Sequence, residues 1–154
     1  LLRLIDGLPS IADLNRERVE AAFGVKMRDL NPKFPVWHAY FDTGLGELGL
    51  TLHEPDPSSK WPDLFFHLGP KAGDAAPWTP VCVEFEPYAA ALMAKGFNAG
   101  PNVGNHGELL GWNFSRFGDP NRRKPEISIR VSYEFPSLRG EDGGRQCINW
   151  IELN

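Results

Sequence analysis

Apolar and polar residues alternate along several short stretches of the chain, and this period of two predicts β-strands. The alternation is clearest from Ile127 to Phe135, where apolar residues hold every second position and Ser, Arg or Glu lie between them. Leu48, Leu50 and Leu52 repeat the pattern in the first half. It is typical of antiparallel strands with one buried and one solvated face. The expected strands are Val36–Asp42, Leu48–Glu54, Asp63–Leu68, Val81–Glu86, Leu109–Phe117, Ile127–Phe135 and Cys147–Leu153.

A helical period replaces this alternation near the N-terminus. Asn15 is placed to cap a short helix, because its side chain can accept a hydrogen bond from a free backbone N–H group. Gly24 is expected to end it, since glycine readily adopts the left-handed conformation. The apolar positions of this helix are Val19, Ala22 and Phe23.

A second short helix is expected to begin at Pro87, because proline is favoured at the first helical position. It follows the strand Val81–Glu86 directly and ends at Gly96. One face of this helix is expected to carry Tyr88, Ala91, Leu92 and Lys95.

The same order of elements, one helix and then three strands, therefore occurs in both halves of the chain. We expect an α+β fold with short helices packed on one face of an antiparallel sheet. The fold would consist of two tandem helix-plus-antiparallel-sheet units, about 1–79 and 80–154, within a single domain 1–154. Chance similarity is the alternative, since many α+β proteins of this size carry a helix and a few strands in each half.

Length, composition and charge restrict the classes of function. A chain of 154 residues fits one domain with a sizeable core. The net charge of -4 argues against a nucleic-acid partner, because phosphate binding needs a basic surface. The basic run Asn121–Lys124 lies between two prolines and is interpreted as a solvated loop. No stretch approaches the roughly 18 consecutive apolar residues of a membrane helix, so no integral membrane segment is expected.

Two cysteines, Cys82 and Cys147, lie at strand-like positions without metal-ligand spacing. We favour a disulfide between them over two buried free thiols. A disulfide places the protein in an oxidising compartment, so the expected location is periplasmic or otherwise extracytoplasmic. The start at Leu1 rather than methionine would suit a processed product.

The layout resembles the β-lactamase inhibitor protein fold, with its tandem helix and sheet units. The first unit, in which "RERVEAAFG" leads into aromatic strands, is similar to small outer-membrane lipoprotein domains. In style the chain is also similar to periplasmic immunity proteins of bacterial toxin systems. The resemblance covers most of the chain but is architectural. It implies protein binding, commonly inhibition of an enzyme, through a sheet face and loops.

Motifs for catalysis or cofactor binding are weak. "GLGELG" at Gly44–Gly49 matches a dinucleotide fingerprint, but it leads into a strand and is interpreted as hairpin glycines. No G-x-S-x-G elbow is present. We therefore expect no enzyme activity, no catalytic residues, no cofactor and no metal. Adjacent strands could still bring His38, His53 and His67 together with Asp63 or Glu54, so a small hydrolase or metal-dependent enzyme remains an alternative.

Two loops, His53–Asp63 and Asn98–Glu108, are the candidate partner-binding segments. Trp61 lies in a proline-rich stretch and would anchor an interface if exposed, although it could instead pack over the core edge. The predicted partner-binding residues are Glu54, Asp56, Trp61, Asp63, Asn105 and His106. The expected function is that of an inhibitor or immunity protein that neutralises a basic enzyme or toxin by occluding its active site. A structural lipoprotein module of the envelope is a further alternative.

Overall fold

The computed structural model describes residues 1–30, 33, 35–42, 47–55, 60–69, 83–118, 125–134 and 147–154. Within these residues, nine strands form one antiparallel sheet, so the chain is α+β with most of its regular structure in strands. The helices are α1 (Leu2–Asp6), α2 (Arg16–Phe23) and α3 (Phe85–Ala94), and a 3₁₀ turn covers Ile11–Asp13. The strands are β1 (Arg28–Asp29), β2 (Val36–Asp42), β3 (Glu47–His53), β4 (Asp63–Gly69), β5 (Val83–Glu84), β6 (Asn98–Val103), β7 (Leu109–Arg116), β8 (Ile127–Glu134) and β9 (Cys147–Leu153).

The strand order is β1-β2-β3-β4-β9-β8-β7-β6, and β5 pairs with the N-terminal end of β9. Strands that are consecutive in sequence pair with each other from β1 to β4 and again from β6 to β9. The two groups meet where β4 pairs with β9, from Leu64 opposite Leu153 to His67 opposite Trp150. One continuous sheet therefore contains strands from both halves of the chain.

The predicted alternation of buried and exposed residues is confirmed on the central strands. Leu50 and Leu52 of β3 are fully buried, as are Ile127, Ile129 and Val131 of β8. These residues form one core cluster with the buried side chains of the three helices. Each such side chain contributes about 1.5 to 3 kcal/mol on burial, so the helices are held on this face of the sheet by apolar contact.

The predicted boundaries of the first helix are also confirmed. The Asn15 side chain accepts a hydrogen bond from the Arg18 backbone N–H at 3.0 Å. Gly24 ends α2 in the left-handed conformation, with φ of 68°, and its N–H donates to the Glu20 carbonyl oxygen. Local residue chemistry therefore defines both ends of this helix.

Glu20 connects α2 to the segment that follows it. Its buried carboxylate accepts hydrogen bonds from the Met27 backbone N–H at 2.8 Å, from Arg16 Nε at 3.0 Å and from Lys26 Nζ at 3.1 Å. These bonds, led by that of Met27, lower the pKa of Glu20 to about 2, against the opposing effect of burial. The carboxylate therefore stays ionised at neutral pH and holds the chain close after α2.

The second helix begins earlier than the sequence pattern predicts. Strand β5 contains only Val83 and Glu84 among the described residues, and α3 starts at Phe85. Pro87 is the third helical residue, where proline is also tolerated because N–H groups of the first turn have no acceptor within the helix. The buried residues of α3 are Phe85, Ala89 and Leu92, and of these only Leu92 belongs to the face described from the sequence.

The sequence pattern predicted a loop at Asn98–Glu108, but the structure shows that part of this segment is a strand. Asn98–Val103 forms β6, which pairs with β7 and lies at one edge of the sheet. Its Gly, Pro and Asn residues are poor strand formers, so the pairing with β7 determines its conformation. Pro101 lacks an N–H group and suits an edge strand, where it also discourages pairing with another chain.

Of the GLGELG segment, the structure describes only residues 47–49, which belong to β3, so the segment leads into a strand as predicted. Asp42 of β2 pairs with Glu47 of β3, and residues 43–46 between them lie outside the described part. In the ranges that the structure describes, no helix has the length and apolar character needed to cross a membrane.

Candidate functional site

The sheet has a face that points away from the helices, which we call the outer face. Directly paired residues on neighbouring strands point to the same face, so the strand register defines it. One row of paired residues crosses seven strands, from β2 to β6, and lies between the rows of buried core residues. In strand order this row contains His38, Thr51, Phe65, Glu152, Arg130, Asn113 and Gly100.

Aromatic rings are concentrated on β2, β3, β4 and β9 of the outer face. The rings of Phe65 and Trp150 stack with centroids 5.7 Å apart, and the His53 ring lies 5.2 Å from Phe65. The ring of Tyr40 lies 4.1 Å from that of His38 and is 69% exposed. Aromatic pairs of this kind contribute about 0.5 to 1.5 kcal/mol beyond their burial. These contacts therefore hold several partly exposed rings in defined positions.

His38 is fixed between two neighbours on this face. Its Nδ1 lies 2.8 Å from Thr51 Oγ1, and burial lowers the pKa of its imidazole. Its Nε2 is buried and has no hydrogen-bond partner among the described residues. Since the charged imidazolium would lose hydration there, the neutral form is favoured at neutral pH.

Small polar residues occupy most of the outer face on β6, β7 and β8, where Arg130 of β8 is the long side chain named above. These residues are Asn98, Gly100, Asn113, Ser115, Ser128 and Ser132. Gly111 of β7 has a φ of 153°, and a Cβ atom there would collide with the carbonyl oxygen of Val131. Apart from Arg130, the side chains named for this part of the outer face are therefore shorter than those of the aromatic part. Trp150, which pairs with Ser132, lies at the boundary between the two parts.

Two carboxylates lie close together near the row of rings. Glu152 accepts hydrogen bonds from Arg130 Nη1 at 3.0 Å and from Asn154 Nδ2 at 2.8 Å. Asp63, the first residue of β4, pairs across the strands with His53. Burial, followed by the charge of Glu152, raises the pKa of Asp63, and His53 acts in the opposite direction. The two carboxylates therefore differ in their surroundings. Glu152 forms an ion pair with Arg130, whereas burial and Glu152 disfavour the charge on Asp63.

Glu54, a predicted partner-binding residue, contacts α2 and β2 of its own chain. Its Oε1 accepts from the Arg16 backbone N–H at 3.3 Å, and its Oε2 accepts from Trp37 Nε1 at 2.9 Å. The Arg16 guanidinium lies 4.2 Å from the centre of the Trp37 ring. These contacts give Glu54 a structural role at the start of α2, and its role in partner binding stays a prediction.

Trp61 is 53% exposed and lies two residues before Asp63, at the end of the sheet where β3 leads to β4. An indole with this exposure is not part of the buried core, which leaves the interface interpretation of Trp61 open. Asp56, predicted in the same loop, lies outside the described residues.

Asn105 and His106 are both exposed in the turn between β6 and β7. The His106 backbone N–H donates to Glu108 Oε2 at 3.0 Å, and the Gly104 N–H donates to the Glu108 carbonyl oxygen at 2.8 Å. These bonds close the turn. Three exposed apolar side chains flank it, namely Val103, Leu109 and Leu110.

The two predicted loops do not lie side by side. Trp61 is at the end of the sheet where β4 begins, whereas the β6–β7 turn is at the opposite end of the strands. Strands β4 and β6 are also four positions apart in the sheet, a separation of about 19 Å at normal strand spacing. A partner that contacts both loops would therefore have to extend across the outer face.

The three strand histidines do not form one cluster. His38 pairs with Thr51, His53 with Asp63, and His67 with Gly49 and Trp150. In the described ranges, no group of three or more His, Cys, Asp or Glu side chains is placed to hold a metal ion.

The disulfide between Cys82 and Cys147 stays a prediction. Cys82 lies outside the described residues, and only the backbone of Cys147 is described, as the residue that pairs with Glu84. No disulfide is seen in the described part of the chain.

The outer-face residues Tyr40, Phe65 and Trp150 were not among the predicted partner-binding residues. A signal for them was present, since strand alternation places large aromatic residues opposite the apolar core positions of β2 and β4. The pairing of β4 with β9, which brings Phe65 to Trp150, has no local signal.

Comparison with protein-family models, with curated proteins and with solved structures finds no match for this chain.

Proposed function

We propose that this chain is an extracytoplasmic protein-binding protein of the inhibitor or immunity type, which neutralises an enzyme or toxin by occluding its active site. The observation that carries the proposal is the set of partly exposed aromatic rings on the outer face, where Tyr40 is 69% exposed. Aromatic residues are enriched at protein interfaces because they bury a large area with few rotatable bonds. The binding surface in this proposal is the outer face together with the loops at its two ends.

The size of the outer face supports a protein partner. Seven strands at about 4.8 Å spacing and about 23 Å length cover an area on the order of 800 Å². A stable protein interface needs about this much surface from each partner. Neither group of four strands provides it alone.

We infer that the sheet consists of two tandem units. In the first, α2 precedes β1–β4, and in the second, α3 precedes β6–β9. The last strands of the two groups, β4 and β9, pair with each other. Two joined units give a broader face than one, which supplies a physical reason for the repeated order of elements.

Charge supports a basic protein as the partner. The net charge of -4 favours association with a positively charged surface and disfavours nucleic acid. The proposed activity is binding alone and includes no catalytic residue, cofactor or metal.

The extracytoplasmic location depends on the predicted disulfide between Cys82 and Cys147. We expect thiol labelling of the unreduced, denatured protein to detect no free cysteine. Two labelled thiols per chain would contradict both the disulfide and the location derived from it.

Affinity capture with matched variants tests the proposed function. Tyr40→Arg and Asn113→Arg each place a bulky charge on one half of the outer face, and Ala90→Arg places the same charge on an exposed position of α3. A protein captured by the wild type is then purified, and its affinity and stoichiometry are measured by calorimetry. We expect nanomolar 1:1 binding that Ala90→Arg retains and both outer-face variants weaken at least tenfold. Equal binding by all three folded variants would reject the outer face as the interface.

A further inference from the structure

Asp63 lies between two aromatic residues along the chain. Phe65 follows it on the same face of β4, and the 53% exposed Trp61 precedes it by two residues. Across the strands, His53 pairs with Asp63, and the His53 ring contacts Phe65. We call Trp61, Asp63 and Phe65 the Asp63 patch.

Among the described residues, His53 lowers the pKa of the Asp63 carboxyl, but burial and then Glu152 raise it by more. In these ranges it takes part in no ion pair and accepts no hydrogen bond. The nearby Arg130 is already paired with Glu152, and the Glu152 side chain is only 12% exposed. Burial and Glu152 both raise the pKa of Asp63, which is the expected effect on a partly desolvated carboxylate beside a second one.

A guanidinium group is the ligand that this combination suits best. It forms paired hydrogen bonds with a carboxylate, stacks on aromatic rings and is more weakly hydrated than an ammonium group. Cation–π contact with Trp is stronger than with Tyr or Phe. A positive charge beside Asp63 would also reduce its repulsion with Glu152.

We propose that the Asp63 patch binds an arginine side chain of a basic protein partner. This inference rests on the proposed protein-binding function and specifies the chemistry of the partner at one point of the interface. The net charge of -4 supports a basic partner at this site as well.

The test uses small probes and requires no partner protein. N-acetyl-arginine amide is titrated into the ¹⁵N-labelled full chain, and the backbone amides of Asp63 and Phe65 and the indole N–H of Trp61 are followed by NMR. The uncharged isostere N-acetyl-citrulline amide is the matched ligand. We expect saturable shifts in the millimolar range for the arginine probe and at least tenfold weaker binding of the citrulline probe. Equal binding of both probes, or no binding of either, would overturn the inference without any variant.

Two variants locate the site. Asp63→Asn is expected to weaken binding of the arginine probe at least tenfold. Glu47 is another outer-face carboxylate, at the end of β3 opposite to His53, the residue that pairs with Asp63. Glu47→Gln is expected to leave the binding of the arginine probe unchanged. If Asp63→Asn retains wild-type affinity while its spectrum is folded, Asp63 is not the ligand. Failure of partner capture with normal arginine binding would instead reject the proposed function and leave this site in place.

Discussion

On the helix-covered face of the central strands most alternate residues are buried, whereas most of their immediate neighbours on the outer face are half-buried or exposed. Strand β7 shows the difference within two residues, since Phe114 is fully buried and Asn113 is half-buried. The covered face is mainly apolar, as folding requires, although Arg116 of β7 also lies there and donates a hydrogen bond to the Leu8 carbonyl oxygen. In the described structure, folding does not require apolar residues on the outer face. We therefore interpret the aromatic rings there as a binding surface.

The outer face itself divides into two parts. Strands β2–β4 and β9 carry the rings of Tyr40, Phe65 and Trp150, while β6–β8 carry Ser, Asn and Gly residues and the long side chain of Arg130. Both groups of strands contribute buried residues to the core, so core packing alone does not account for the difference between their outer sides. The difference indicates that the contact energy of an interface would come mainly from the aromatic part, where Trp61 and Asp63 also lie.

The largest expected effect is a loss of folding stability, which should differ strongly between two adjacent residues of β7. Phe114→Ala should lower the free energy of unfolding by about 3 to 5 kcal/mol, because it leaves a cavity in the core. Asn113→Ala should change it by about 0.5 kcal/mol or less. Urea unfolding measures both. Similar losses for the two variants would show that the outer face is also needed for folding.

The second-largest effect is expected on the affinity for the protein partner. Trp61→Ala should weaken partner binding at least about thirtyfold, since loss of a buried aromatic anchor typically costs 2 kcal/mol or more. Thermal stability should change little, because the indole is already 53% exposed. Met93→Ala on α3 is the control, with a side chain of similar exposure on the helix side. If Trp61→Ala melts the protein and leaves binding intact, the interface lies elsewhere.

Glu54 distinguishes a structural carboxylate from one on the binding surface. Glu54→Ala should lower the free energy of unfolding by about 1 to 3 kcal/mol, because the N–H groups of Arg16 and Trp37 lose their acceptor. Glu54→Gln keeps one acceptor oxygen and should cost less. Unchanged stability with slower association at low salt would instead support the partner-binding role that the sequence suggests.

The smallest effect is the pH dependence associated with Asp63. Its pKa is raised in the folded state, so the ionised form costs stability above that pKa, and the cost disappears below the pKa of the unfolded chain. Asp63→Asn should therefore raise the melting temperature by about 2 °C or less at pH 7. The gain should vanish as the pH falls below the ordinary carboxyl value. A lower melting temperature at pH 7 would show that Asp63 stabilises the fold.

Sequence reasoning located the elements whose signals are local. Asn15 and Gly24 specify α2 because capping depends on residues within a few positions. Alternation specified β8 closely, because a strand with one buried face needs apolar residues at every second position. Aromatic and β-branched residues indicated β2 and β9. The exposed position of Trp61 beside Asp63 was also a candidate from composition and loop context alone.

Tertiary structure decided the features that depend on distant residues. Residues Asn98–Val103 became a strand only because β7 supplies a pairing partner. The contact between Phe65 and Trp150 exists because β4 and β9 pair, although more than 80 residues separate them in the chain. Glu54 lies against α2, and Asp63 lies near Glu152, for the same reason. Periodicity defines which face of a strand is buried. Strand order and register depend instead on packing between segments that are distant in sequence, and no local pattern identifies which of them pair.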